Sequence, residues 1–281
     1  MSVRRMSAAL MAATLLTPTA AACTATGGGS AGATATPSAT VTAAATDAAA
    51  SDADAKQALL DSTREISKGN FRFRMSGVGS TAEGQVHQPS QSAELRVNIG
   101  DAGDDLAMTL DLIHARPDSW VKLDLSGAAA AGVPGRDKLN LGKYQHLDQH
   151  RIRGNRSLGF DFDQVDPAGS QVLTQAVTEV RRTGNGAYAG TIDVSKAAEA
   201  GSLDQGLITA LGAQANSVPF TASTDAQGRL TELVLQIPAV GEAAAQEIRV
   251  TYRDYGNATA AQKPSADQVV EAPPELYNLF D

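Results

Sequence analysis

Few residues in this 281-residue chain have types and spacings that could do chemistry. His146 and His150, in "HLDQH", stand at i and i+4, which on a helix would put two imidazoles on one face as metal ligands. Leu147 occupies the place where a zinc protease has its glutamate, and no third ligand follows, so two solvated histidines in a polar segment are expected. Asp101, Asp104 and Asp105 in "IGDAGDDL" are oxygen donors of the kind calcium takes. They lack the ordered spacing of a calcium loop and read as turn chemistry. Asp161 and Asp163 in "FDFD" are paired carboxylates beside an expected helix start, where acids cap the helix and face its dipole. The G-x-S-x-G spacing occurs only as "GGSAG" at 28–32, inside an Ala/Thr/Gly stretch where no strand-to-helix elbow is expected, and no glycine-rich loop runs into Lys-Ser/Thr, so neither a nucleophile elbow nor a phosphate cradle is read here. No catalytic residue, metal or cofactor is expected, and the chain reads as non-enzymatic. The remaining reactive group is the one cysteine, Cys23.

Cys23 stands in "LLTPTAAACTATGGGS". Arg4 and Arg5 lead into residues 6–22, an uncharged run of small and apolar side chains, which is the pattern of a secretory signal peptide. Ser7, Thr14, Thr17, Pro18 and Thr19 dilute the run below what a spanning helix needs. The stretch "AAAC" resembles a bacterial lipobox, with Ala20 where an aliphatic residue is usual. That resemblance implies cleavage before Cys23, a diacylglyceryl thioether on its sulfur and anchoring on the extracytoplasmic face of the cell membrane. Two acyl chains suffice for stable attachment, since each buried CH₂ contributes about 0.8 kcal/mol. Acylation would leave no thiol for disulfides, metals or covalent catalysis, so stability must come from the core.

The formal net charge is −8, and removing residues 1–22 with Arg4 and Arg5 takes it to −10. Such an acidic chain is a poor match for phosphate backbones, and no nucleic-acid partner is expected. The same charge disfavours adhesion to anionic headgroups, so the membrane would be held through Cys23. Three segments follow: a signal peptide at 1–22, a lipid-anchored disordered linker at 23–50, and a single domain at 51–281. Residues 24–50 are almost wholly Ala, Thr, Gly, Ser and Pro, which cannot bury enough surface to offset their ordering entropy. Flexible-coil scaling gives this tether a reach of roughly 30 Å.

From Ser51 or Asp52 as N-cap, a helix is expected with Ala55, Ala58, Leu59, Ser62 and Ile66 on one face, stopped by Gly69. The period then changes to two. Phe71, Phe73 and Met75 alternate with arginines, a weaker strand follows at 82–88, and Leu95, Val97 and Ile99 alternate with Arg96 and Asn98. Leu106, Met108, Leu110 and Leu112 make the next strand, and "DSWVKLDL" brings Val121 and Leu123. Residues 126–159 lose periodicity, and a long irregular stretch of this kind is commonly functional or mobile. A second helix is expected from Asp166 and Pro167, with Val172, Leu173, Ala176, Val177 and Val180 on its face. Asn185-Gly186 is a type I′ hairpin signal, two short helical segments follow near 195–200 and 203–211, and "VPFTASTDAQGRLTELVLQIP" returns to sheet. Leu233, Leu235 and Ile237 alternate there, and "EIRVTYRDYG" closes the pattern with Ile248, Val250 and Tyr252 inward. Meandering strands with helices grouped between two sets of them make an α+β protein.

About seven strands would therefore share one apolar face. Its members are Phe71, Phe73 and Met75; Leu95, Val97 and Ile99; Leu106, Met108 and Leu110; Val121 and Leu123; and Leu233, Leu235, Ile237 and Val250. Alternation is the same whether helices cover such a face completely or leave part of it as an apolar cavity. The order of lipobox, Ala/Thr/Gly tether, helix, strands with "SWVKLDL", then "VPFTASTDAQGRLTELVLQIP" and "VTYRDYG" resembles the actinobacterial lipoproteins of the LppX/LprG type, which have a LolA-like fold. The resemblance covers most of the chain after Cys23 in layout, with the lipobox as its specific motif. It implies a half-barrel of antiparallel strands covered by helices on one face, and a non-catalytic function in binding or carrying the acyl chains of lipids or glycolipids. The alternative is a protein-interaction or envelope-assembly module, filled by side chains and meeting an envelope protein partner.

Overall fold

The computed structural model describes residues 40–280 apart from 78, 102, 199–202, 204 and 242. Cys23, the expected signal peptide and the first part of the expected linker lie outside the described residues. Helix α1, Thr40–Ser62, starts well before the expected N-cap at Ser51 or Asp52. Its first half is alanine-rich, and alanine is the strongest helix former, so a stretch read as linker from its composition has the local preference of a helix. A short turn of helix, α2 (Arg64–Ser67), ends at Gly69, whose φ of 62° is the left-handed value a helix stop requires.

The strands are β1 (Asn70–Gly77), β2 (Ser80–His87), β3 (Ser92–Ile99), β4 (Ala107–Ala115), β5 (Asp118–Ser126), β6 (Tyr144–His146), β7 (Val177–Gly184), β8 (Ala187–Ile192), β9 (Val218–Thr224), β10 (Leu230–Ile237), β11 (Gln246–Arg253) and β12 (Val269–Glu271). They form one open 12-stranded sheet in the order β12-β6-β5-β4-β3-β2-β1-β11-β10-β9-β8-β7. Neighbours are antiparallel except β6 and β12. Two meanders, β1 to β6 and β7 to β11, meet where β1 pairs β11. The fold is thus α+β, a curved antiparallel sheet with helices on one face.

The remaining helices are α3 (Ser170–Gln175), α4 (Val194–Ala198), α5 (Gln205–Leu211) and α6 (Pro274–Asn278). The second expected helix is therefore shorter than its pattern suggested, because Val177 and Val180 belong to β7. The hairpin explains this: Gly184 pairs with Ala187, so Asn185-Gly186 is a two-residue turn that needs a strand on each side, and Gly186 has φ 67°.

The two faces of the sheet differ as alternation requires. On the inner face, α1, α2, α3, α5 and β1, β7 to β11 enclose one core, with Leu59, Ile66, Phe71, Phe220 and Leu233 all but sealed from solvent. A second core lies under β4 and β5, closed by Leu139, Leu147, Ile152 and Leu158 of the irregular stretch and by Leu276 and Tyr277 of α6. That stretch, expected to be functional or mobile, is therefore a lid of buried side chains. Gly84 of β2 shows how tightly the inner face is built: a Cβ there would lie 2.2 Å from the Glu94 carbonyl and 3.0 Å from the Phe73 ring. Phe73, opposite Gly84 in the register, covers it.

Candidate functional site: an apolar cavity on the inner face

The strand register places the expected apolar residues on one face. Met75 lies opposite Val250, and Val250 opposite Leu233; Val97 lies opposite Leu110, and Leu110 opposite Leu123. The face is continuous, but its members have three different fates.

Met75, Leu233, Leu235 and Val250 line an apolar cavity of about 310 Å³ between sheet and helices. Ile248 adds to its floor; Ala168, Leu173 of α3, Leu203 and, on α5, Leu207 form its roof, with Gly77 and Ser80 at its rim. Its size lies at the lower end of the range for small-molecule pockets. Of the lining residues outside the expected set, Ile248 alternates with Val250, and Leu203 and Leu207 stand at helical i, i+4 spacing, so both signals were present.

Phe71 and Phe73 do not line the cavity. They pack into an aromatic cluster with Tyr252 and Tyr255, with ring centroids 5.4 Å apart for Phe71 and Tyr252. Ile237 is likewise plain core. Leu110, Val121 and Leu123 are buried in the second core, with Leu95, Val97 and Met108 packed against it. Nine of the fifteen residues of the expected ligand face are thus packed against the chain's own side chains. Ile99 and Leu106 are exposed at 43% and 44%. They belong to the tip of the β3–β4 hairpin, where Asp104 Oδ2 accepts the Asp101 N–H (2.8 Å), the turn chemistry expected of those aspartates.

A buried polar network fixes the roof. Tyr252 Oη lies within hydrogen-bond reach of Ser170 Oγ (2.8 Å) and Asp166 Oδ1 (3.2 Å), its one proton serving one of the two, and Asp166 Oδ2 accepts the Gln171 N–H (2.7 Å) at the start of α3. Burial pushes the Asp166 carboxyl up from its ordinary range and the Tyr252 phenol well up from its own, so both hold their places as hydrogen-bonding groups. The helix expected from Asp166 and Pro167 begins only at Ser170, with Gly169 as its N-cap and Asp166 reaching in from ahead of it to the Gln171 N–H, while Asp161, expected with Asp163 as a capping acid, accepts the Asp163 N–H (2.8 Å) in a turn before the helix.

The histidine pair is not brought together on a helix. His146 is on β6, its Nε2 3.3 Å from Asp118, its Nδ1 3.5 Å from Glu271 and its ring against Trp120, while His150 is exposed in a turn. His146 is therefore half-buried and partnered, not simply solvated. Among the described residues no three His, Cys, Asp or Glu side chains are placed to hold a metal ion. No helix among them is long and apolar enough to cross a membrane. No family model matches the chain, and no curated protein matches it.

Proposed function

We propose that the protein is a non-catalytic, membrane-tethered lipoprotein of the LppX/LprG type that holds an acyl chain in the cavity between β1, β10, β11 and helices α3 and α5. The observation that carries this reading is the cavity itself: about 310 Å³, walled by Met75, Leu233, Leu235, Ile248 and Val250 and roofed by Leu173 and Leu207. A chain entering it would exchange water for apolar contact at about 25 cal/mol per Å² buried. The last row of the inner face supports a route in. Gly77 lies opposite Ser80, Ser80 opposite Ile99, Ile99 opposite Met108 and Met108 opposite Leu125. The cavity rim therefore runs, through neighbouring strands, to the exposed Ile99 and the adjoining Leu106. Acylated Cys23 and the linker after it would keep the domain beside a membrane at high effective concentration.

The test is native mass spectrometry of the full chain carrying Cys23→Ala, expressed in an actinobacterial host, before and after solvent extraction. A co-purifying lipid of defined mass supports the carrier. Met75→Trp, which puts an indole into the cavity, is expected to abolish that adduct while shifting Tm by no more than about 4 °C, since it fills space and displaces no packed group. A clean apo mass with no binding of palmitate on titration points to the second reading, a protein-interaction module, which the filled part of the face under β4 and β5 supports.

A further inference from the structure

The outer face of the sheet holds a second concavity, separated from the first by the sheet itself. After β11 the chain turns back as a strap across this face. The Ala258 N–H donates to Asn70 Oδ1, Ala261 N–H to Ser92 Oγ and Gln262 N–H to Glu94 Oε1, each at 2.9 Å, before β12 joins β6. Between strap and strands lies a trough of about 780 Å³. Five cationic side chains, Arg72, Arg96, Lys122, Arg253 and Lys263, line it against the carboxylates Glu83, Glu94 and Asp111. It is a net positive concavity in a chain of formal net charge −8.

Most of these charges are already partnered. Asp111 holds Arg96 (2.7 Å) and Lys122 (2.8 Å), Glu83 meets Arg74 (3.2 Å), and Lys263 reaches Asp118 (3.1 Å). Glu94 accepts from Gln85 Nε2 (3.1 Å) as well as from the strap. Arg72 and Arg253 are left. They are direct partners in the β1–β11 register, where like charges repel. Both look to the one carboxylate of Asp254, at 3.8 Å, beyond hydrogen-bond length. Neither guanidinium makes a hydrogen bond within the described residues, and Arg72 Nε is shut off from solvent with no partner. Two planar forks set side by side in the wall of a positive trough, with outer N–H groups that no acceptor among the described residues takes, offer an anion paired donors, and an anion between them would relieve their mutual repulsion.

We propose that the Arg72–Arg253 end of this trough binds a phosphate-bearing ligand. A phosphate offers three peripheral oxygens to two forks, where a carboxylate offers two, and its second negative charge matches the paired guanidiniums. Farther along, Gln85, Gln262, Gln268 and Tyr144 present amides and a hydroxyl suited to the hydroxyls of a polyol or sugar carrying that phosphate. The ligand is then either a soluble phosphorylated polyol or a lipid whose headgroup ends in a phosphate monoester, since a phosphodiester keeps only one charge and two free oxygens, and the two are separable by experiment.

The full chain with Cys23→Ala is titrated calorimetrically with glycerol 1-phosphate, and separately sedimented with vesicles containing phosphatidic acid, phosphatidylcholine vesicles being the control. Saturable glycerol 1-phosphate binding, weakened about tenfold or more by Arg72→Gln with Arg253→Gln and unchanged by Arg74→Gln, establishes the site with a soluble ligand. Co-sedimentation with the phosphatidic acid vesicles alone, lost in the same double variant, establishes it with a lipid headgroup. The double variant is expected to keep its Tm, because it removes a like-charge pair and no hydrogen bond. Absence of binding in both arms, or binding indifferent to Arg72 and Arg253, overturns the proposal.

Discussion

Replacing Phe71 with alanine is expected to lower stability by about 4 kcal/mol, a fall in Tm of roughly 10 °C for a domain of this size. Phe71 is fully buried and stands at the centre of an aromatic group, with ring centroids 6.4 Å from Phe73, 5.4 Å from Tyr252 and 6.1 Å from Tyr255. Its truncation removes the transfer energy of a large side chain, the edge-to-face contacts, and the packing that holds Tyr252 under α3. Ile99→Ala, on the same face of the same meander but 43% exposed, is expected to change stability by less than about 0.5 kcal/mol. Urea unfolding of the two variants side by side checks this. Equal effects would mean that the inner face is not divided into sealed core and open rim as described.

Acidification is expected to cost the fold about 3 kcal/mol through His114 alone, since a tenfold change in a group's proton affinity on folding is worth about 1.4 kcal/mol. His114, on β4, is 3% exposed, with Nδ1 2.9 Å from Ser119 Oγ and Nε2 without a partner. Burial lowers its pKa to about 4. The arrangement leaving least unpaired puts the ring proton on Nδ1, donated to Ser119, with only a lone pair at Nε2. A second proton would then sit at Nε2 with nothing to receive it. The unfolded chain takes up that proton near pH 6.5 and the folded chain only near 4. The unfolded state therefore binds more protons in this window. The stability contribution is whole above pH 6.5, falls as pH drops, and is lost by about pH 4. His114→Phe, which stacks toward Phe160 and needs no proton, is expected to flatten the profile of unfolding free energy between pH 6.5 and 4. A profile unchanged from that of the parent chain would show that His114 is not the group responsible.

What could be read from sequence was whatever a period of two or a two-residue turn records. Phe71, Phe73 and Met75, or Leu233, Leu235 and Ile237, reveal a strand and its buried side because each neighbour but one points the same way. The limits have equally local causes. Val172, Leu173, Ala176, Val177 and Val180 satisfy helical spacing, yet the last two lie in a strand fixed by the Asn185-Gly186 turn. Strands β6 and β12 have three residues each, too few for any period to show, and the strap between β11 and β12 has none. The cavity is a property of long-range pairing. Met75 shares a wall with Val250 only because β1 lies beside β11, and no feature of either segment announces that neighbour. The outer trough was invisible for the same reason, since Arg72 and Arg253 are distant in the chain and adjacent in the sheet.

That central joint also governs how the chain can assemble. The strands β1 to β5 are consecutive hairpins and can pair as soon as each is made, and the same holds for β7 with β8 and for β9 with β10, the two pairs being joined through 193–217 with α4 and α5. The seam between the halves pairs Phe73 with Tyr252, so it must close a loop spanning nearly the whole domain before any contact rewards the lost entropy. Until the segment with β11 arrives, β1 is paired on the β2 side only, and its inner side chain Phe71 lacks the rings of Tyr252 and Tyr255. The protein thus remains two loosely connected ribbons until its last quarter is available. A chain with this order of events cannot seal its central core for as long as its C-terminal part is withheld, so a truncation ahead of β11 leaves both ribbons with an open apolar edge.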